Sequence, residues 1–494
     1  MLVITDAIVT QKDAPTVPRR PYVVLVAIVL AALVALRIAL FFVKPLWLDE
    51  VYSGAAALSP SIGSLFADWI SKDIHPPLYL LLLHFWCKAF GVSDVALRLP
   101  SLICDIAAIP VMYFGLRKTI GERQATIAAL IIATAPNAVL YSAEARSYGL
   151  LLLLSAVAMV FALRLAVARE RSALPGFTLA AIALALTHYF GLAVAGSLYA
   201  WLILRDRRNF GLLLVSSFCF VLFVLPWLIY HFPILAGKTG GHFWIPQENI
   251  FESVMLALAG AWGENSDIRA FNLELIMPLI ATVVVRQNAH RTTGLGAELL
   301  LLLLVDLAIL IAISQRTPLI VPRYFLVFTP IAAIVSGIYI GTLGRLACLL
   351  MTLAMPIVVT LPWASTYFRV EKSATIAWQE PAQRLVDAKV KSVIFFLDDP
   401  VNVQCTPAEL RQMGEFFFRR AGSNAEVIPV SMQSPNYAAD MEAALASAPR
   451  PVAILKPTTL LSNYHNHDGL LSKLAESRGG QCFRQGSTQS CIFR

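Results

Sequence analysis

The segment Trp47-Leu48-Asp49-Glu50 sets two adjacent carboxylates directly after an apolar run. An acid that enters an apolar environment gains a raised pKa, which is the tuning a general base needs. The competing account is a solvated helix start. Asp73 and His75 come next, ahead of Pro76 and Pro77, which force an extended entry and then open a short apolar run. His75 is held at the lip of that run, either touching an acceptor or a carboxylate or serving as an interfacial cap. Asp49, Asp73 and His75 together could also hold a divalent metal, which stays open here.

Tyr141 to Tyr148, YSAEARSY, interrupts two apolar runs with Glu144 and Arg146. An ionisable pair at such a break is a functional candidate, the alternative being a salt bridge that closes a tight turn. Arg323, in Val321-Pro322-Arg323-Tyr324, opens another run and could grip a phosphate bidentately or snorkel to the headgroups. His188, Tyr189, His242, Trp244 and Glu264 stand at similar junctions, where aromatic-belt or loop packing is the simpler account. With Asp73, His75 and Tyr324, the pair His188 and Tyr189 would line the acceptor side of a cavity.

The elements that position these residues follow from composition. The chain has 494 residues, 58% hydrophobic and 14% charged, with a mean hydropathy of +0.69. That much apolar surface does not fit inside one water-soluble core, so the bilayer must be part of the solvent. The net charge of +8 does not point to nucleic acid, because Lys and Arg cluster in twos and threes between apolar runs, as the positive-inside rule requires. Four of the seven cysteines (Cys87, Cys104, Cys219 and Cys348) lie in apolar stretches and no CxxC occurs, which argues against structural zinc.

Lys12, Arg19 and Arg20 place the N-terminus in the cytoplasm, and the first span runs from Tyr22 to Val43 without a cleavage site after it. Pro76 to Phe90 is short for a span. Read as an interfacial or re-entrant helix, it leaves Arg117, Lys118 and Arg123, then Arg164, Arg169 and Arg171, then Arg205, Arg207 and Arg208 inside, with Arg286, Arg291 and Arg345 following suit. The further spans are Leu99 to Leu116, Ala125 to Tyr141, Tyr148 to Val167, Leu174 to Thr187, Phe190 to Leu204, and Leu212 to His231. Later ones cover Phe271 to Val285, Ala297 to Ile313, Tyr324 to Leu343, and Leu346 to Trp363. The pattern predicts a polytopic α-helical membrane protein of about 11 to 13 transmembrane helices. Its large loops, Lys44 to Arg98 and His231 to Ala270, fall outside.

The domains are then a cytoplasmic segment over 1–21, a transmembrane domain over 22–363 and a periplasmic tail over 364–494. Strand-like runs Val393 to Leu397, Glu426 to Val430 and Val452 to Leu455, with a helix-like stretch from Pro407 to Arg420, make the tail a small α/β domain. Cys482 and Cys491 flank a Gly-containing turn and are either paired or two free thiols.

LDE after the first span, HPPLYLLLLHFW, RLPS before the second and YSAEARSYGLL after the third, in that order, resemble the membrane glycosyltransferases of the GT-C fold. The resemblance is to the family-39-like group of protein O-mannosyltransferases and lipid A aminoarabinose transferases, and it covers about Pro45 to Leu204 and the VPRYF segment. It implies inverting transfer of a sugar from a polyprenyl phosphate to an acceptor at the periplasmic face of a bacterial inner membrane. The acceptor would be lipid A, lipopolysaccharide, another glycan or a protein. The resemblance further implies that Asp49 activates or orients the acceptor, with Glu50 as its supporting partner and Glu144 in the same cavity. Arg146 and Arg323 are the candidates for the lipid-linked phosphate. Where aminoarabinose transferases resemble Glu-Lys-Pro-Pro, this chain has Asp73-Ile74-His75-Pro76-Pro77. The main alternative is a transporter or flippase of lipid-linked sugars, against which stand the large outer loops and the lack of an internal repeat.

Overall fold

The computed structural model describes residues 19–43, 45–239, 245, 247–259, 273–286, 293–343, 377–458 and 467–494. The first helix, Arg19–Val43, leads into a loop that folds on itself as helices Leu48–Ala57, Ile62–Leu65 and Leu78–Phe90, with a π turn Phe66–Ile70 between the last two. Among the described residues, five helices are long and apolar enough to cross a membrane: Asp94–Leu116, Tyr148–Ala166, Arg207–Gly237, Gly294–Ser314 and Pro322–Ile340. Shorter apolar helices pack among them, including Arg171–Ala185 and Tyr189–Arg205.

Leu78–Phe90 has 13 residues, a rise of about 20 Å against a hydrocarbon core of about 30 Å. It lies against the Leu48–Ala57 helix, where buried His84 Nδ1 sits 3.1 Å from the Ala57 carbonyl, and turns Leu82, Phe85 and Phe90 outward. The hairpin expected around His188 is present: Leu174–Ala185 and Tyr189–Arg205 are separate helices.

Other expectations need correcting. The span Ala125 to Tyr141 is two helices, Glu122–Thr134 and Pro136–Tyr141, because Pro136 lacks an N–H and its ring clashes with the preceding turn. The freed Ala133 carbonyl accepts from Arg37 Nη1 at 2.8 Å, and Arg37 Nε meets Asp105 Oδ1 at 2.6 Å, so a fully buried ion pair fills the break. The stretch after His231 is not all loop, since Phe210–Thr239 runs on past it and Ile250–Ala259 is helical. The next helices are Leu273–Arg286 and Thr293–Ser314, and the one after them begins as a 3-10 turn, Pro322–Phe328, before Thr329–Ile340. Leu346 to Trp363, His242, Trp244 and Glu264 lie outside the described residues.

The bundle has two unlike ends. At one, basic side chains stitch connectors together: Arg123 Nη1 donates to the Gly341 carbonyl at 3.3 Å, Arg169 pairs with Asp206 at 3.1 Å, Arg171 Nε donates to Asn209 at 2.7 Å, and Arg205 pairs with Glu298. The opposite end carries the first loop, the 141–148 break, the turn at His188 and the start of Pro322–Phe328. There Gly149 allows close approach of helices Asp94–Leu116 and Tyr148–Ala166, for a Cβ would come within 2.3 Å of the Ser101 carbonyl oxygen. Gly149→Ala is expected to destabilise the purified protein by about 1–3 kcal/mol, read as a lowered unfolding temperature. Gly211→Ala, with open space around it, should not.

The tail is a five-stranded sheet in the order β2-β1-β3-β5-β4, with β1 Ser392–Phe395, β2 Glu426–Pro429, β3 Val452–Pro457, β4 Gln481–Gln485 and β5 Thr488–Phe493. β1 runs parallel to β2 and β3, as crossover helices Pro407–Arg420 and Tyr437–Ser447 demand. β5 is antiparallel to β3 and to β4. The hairpin β4–β5, closed by the Cys482–Cys491 disulfide, extends the expected strand set. Beyond β1, Asp398 is buried with Lys456 at 2.9 Å and His467 at 2.6 Å. Burial works against its charge, yet the hydrogen bonds from His467 and Lys456 hold its carboxyl below the usual range.

The sheet packs on the first loop through Pro407–Arg420. Phe416 lies on Gly54, where a Cβ would meet its ring at 2.7 Å. Trp69 Nε1 donates to Gln412 at 3.0 Å, and Arg420 pairs with Asp94 at 2.6 Å.

Candidate active site

Asp49 and Glu50 occupy the first turn of Leu48–Ala57, a position that suits acids, but their surroundings differ. Glu50 is 0% exposed. Its Oε1 accepts from Arg98 Nε at 2.6 Å and from the Ala145 amide at 2.9 Å, while Oε2 accepts from Arg98 Nη2 at 2.6 Å and the Trp47 amide at 3.3 Å. Arg98 also donates to the carbonyls of Phe41 at 3.2 Å and Pro45 at 2.9 Å. This fork joins the end of the first helix, the Asp94–Leu116 helix and the 141–148 break, and it leaves Glu50 no access to a substrate.

Asp49 keeps 24% of its side chain exposed, with Oδ2 lying 3.8 Å from Arg146 Nε and 3.7 Å from Arg323 Nη2. Both separations exceed a hydrogen bond, so the two guanidinium groups share one carboxylate without being locked to it. Ser101 Oγ fixes Arg146 by donating to its carbonyl at 2.8 Å. Arg323 stands 5.9 Å from each of the Trp47, Tyr148 and Tyr324 ring centres. Two arginines on one partly open carboxylate form a receptor for a further anion, and phosphate suits their planar forks.

Asp73 and His75 form a pair beside this group. Asp73 Oδ1 sits 2.9 Å from His75 Nδ1 and accepts the His75 amide at 3.0 Å. Burial opposes the Asp73 charge, but His75 and Arg146 outweigh it and hold the carboxyl well below its ordinary value. The Leu78 amide donates to the Leu186 carbonyl at 3.0 Å, which locks this segment to the turn carrying His188. The His75 and His188 rings are 5.3 Å apart, and His188 is 4.6 Å from Tyr324. Burial, with His75 and the arginines next to it, pushes His188 well below the ordinary histidine value.

The remaining candidates lie at the margin. Glu144 is 2% exposed and within electrostatic reach of Arg98 and Tyr148. Tyr189 turns to His231, 2.6 Å from its Nδ1. Among the described residues no cluster of three His, Cys, Asp or Glu is placed to hold a metal; Asp73 and His75 face each other and Asp49 faces arginines, so this donor set does not fit a divalent ion. An open cleft of about 660 Å³ between the first loop and Pro407–Arg420, lined by Ser59, Asp68 and Arg411, contains none of the candidates. Arg98 and Tyr148 join the site in addition to the expected residues; an arginine at the mouth of an apolar run is the sequence signal for the first.

A model of dolichyl-phosphate-mannose-protein mannosyltransferases matches residues 74–230. ArnT from Cupriavidus metallidurans in the apo state superposes with a TM-score of 0.60 at 13% identity, over 96% of this chain and 98% of that one. The same protein bound to undecaprenyl phosphate gives 0.57 at 14% identity with the same coverage. The apo oligosaccharyltransferase of Archaeoglobus fulgidus gives 0.52 at 12% identity over 87% of this chain and 69% of that one. No curated protein matches. These likenesses define the class: an integral membrane protein of the GT-C glycosyltransferase fold, with a small C-terminal sheet domain. Within that class the chain resembles the protein O-mannosyltransferases and the lipid A aminoarabinose transferases.

Proposed function

We propose that the protein is an inverting glycosyltransferase that moves a hexosyl or pentosyl group from a polyprenyl phosphate to an envelope acceptor, whether lipid A, lipopolysaccharide, another glycan or a protein. The observation that carries this reading is Asp49 flanked by Arg146 and Arg323 at 3.8 and 3.7 Å. A polyprenyl phosphate is already a fair leaving group, so the site must neutralise charge on the departing phosphate and aim a nucleophile at C1. The arginines perform the first task and Asp49 the second, while Arg98 and Glu50 hold the loop that presents it. Glu144 completes the wall of the same chamber.

The arginine-stitched end faces the cytosol in this reading, because exposed basic connectors stay inside. The site end and the tail over 364–494 are then periplasmic, and residues 1–21 cytoplasmic. That a structure similar to this one holds undecaprenyl phosphate supports a lipid-linked donor.

Arg323→Ala tests the assignment. Losing a charged phosphate contact is expected to raise the apparent donor KM about 10- to 100-fold, with little change for acceptor, in vesicles loaded with labelled lipid-linked sugar. An unchanged donor KM removes Arg323 from the phosphate site.

A further inference from the structure

His188 caps the Tyr189–Arg205 helix, its Nδ1 accepting the Phe190 amide at 3.1 Å. A backbone N–H only donates, so Nδ1 is the lone-pair nitrogen and the proton of the neutral ring sits on Nε2. For His75 the assignment is reversed. Its Nδ1 lies 2.9 Å from the Asp73 carboxylate, which only accepts, and 3.5 Å from Arg146 Nη2, which only donates; the shorter contact decides, so the neutral ring carries its proton on Nδ1 and a lone pair on Nε2. Both Nε2 atoms are buried without a hydrogen-bond partner among the described residues, as is the Tyr148 hydroxyl.

The two rings are 5.3 Å apart, yet they do not satisfy each other. One offers a donor and the other an acceptor, with His188 buried and the His75 side chain 11% exposed. A hydroxyl complements both at once, because its hydrogen goes to His75 Nε2 and its oxygen accepts from His188 Nε2–H. An ammonium group supplies only the first bond and leaves the His188 N–H stranded. It would also sit beside Arg146, whose Nη2 lies 3.5 Å from His75 Nδ1. That same contact puts the two histidines next to the proposed phosphate site, hence next to the donor sugar.

We propose that His75 and His188 clip one hydroxyl of the transferred sugar, selecting a neutral sugar over an amino sugar. The clip rests on the transferase reading and specifies its substrate class. His188→Asn provides a clean variant, since asparagine is a good N-cap and can keep the Phe190 amide satisfied while removing the Nε2–H.

The full-length protein in nanodiscs, with nitrogen-15 in its histidine rings, is titrated with undecaprenyl phosphate alone and then with the carrier bearing glucose, mannose or 4-amino-arabinose. The expected result is opposite tautomers in the free protein, both Nε2 signals moving with a neutral sugar and not with the carrier alone, and weaker binding of the amino sugar. His188→Asn should retain the unfolding temperature and raise the donor KM about tenfold without moving the acceptor KM. Matching tautomers, a response to the carrier alone, or a KM change confined to the acceptor overturns the clip while the transferase reading stands. Failure of carrier and all donors to bind overturns both.

Discussion

Asp49→Asn is expected to leave the protein folded and to lower transfer by about two to four orders of magnitude. The fold should survive because the contacts of Asp49 with Arg146 and Arg323, at 3.8 and 3.7 Å, are too long to be hydrogen bonds that hold structure. The Glu50–Arg98 fork, which does hold structure, is untouched. Transfer should fail because asparagine neither takes a proton from an acceptor hydroxyl nor supplies the negative charge that keeps two guanidinium groups in register. The check is the rate of transfer from a labelled polyprenyl-phosphate sugar in proteoliposomes, alongside the unfolding temperature. A rate near that of the unaltered protein would remove Asp49 from the mechanism.

Glu50→Gln, one residue on, should behave in the opposite way. It takes the paired carboxylate away from Arg98, which is buried at 1% exposure, and breaking a buried pair by removing one partner costs about 3–5 kcal/mol. The protein should therefore lose a large part of its stability in detergent, and its activity with it, in a thermal unfolding measurement. Retained stability with lost transfer would return Glu50 to the chemistry. Together the two substitutions separate a side chain that acts from a neighbour that holds it in place.

Much of the candidate site was legible in the sequence because ionisable groups are costly next to hydrocarbon, so few remain there without a task. Asp49, His75, Arg146 and Arg323 each stand at the edge of an apolar run, and the fold brings these edges together at one end of the bundle. What adjacency cannot reveal is direction. Leu48–Ala57 begins as a helix, and its turn sends Glu50 inward to Arg98 while Asp49 remains open, a division fixed by a partner 48 positions away. The Arg37–Asp105 pair joins residues 68 apart inside expected spans, and Arg37 answers the Ala133 carbonyl that the break at Pro136 releases. The tautomers of His75 and His188 likewise depend on neighbours that the fold supplies. In the tail, β1 to β3 were visible as short apolar runs, whereas β4, with Gln481, Arg484 and Gln485 at its ends, has too polar a pattern to read as a strand.

The seat of Phe416 on Gly54 bears on how such proteins can be recombined. The Leu48–Ala57 helix presents Asp49 at its start and receives Phe416 of the tail near its end, so one short rod links the carboxylate to the seam between the two halves. A chimera that borrows another tail with a different knob at position 416, or another first loop with a side chain at position 54, would tilt that rod and shift the carboxylate at its tip. Exchange should succeed only when both positions travel together.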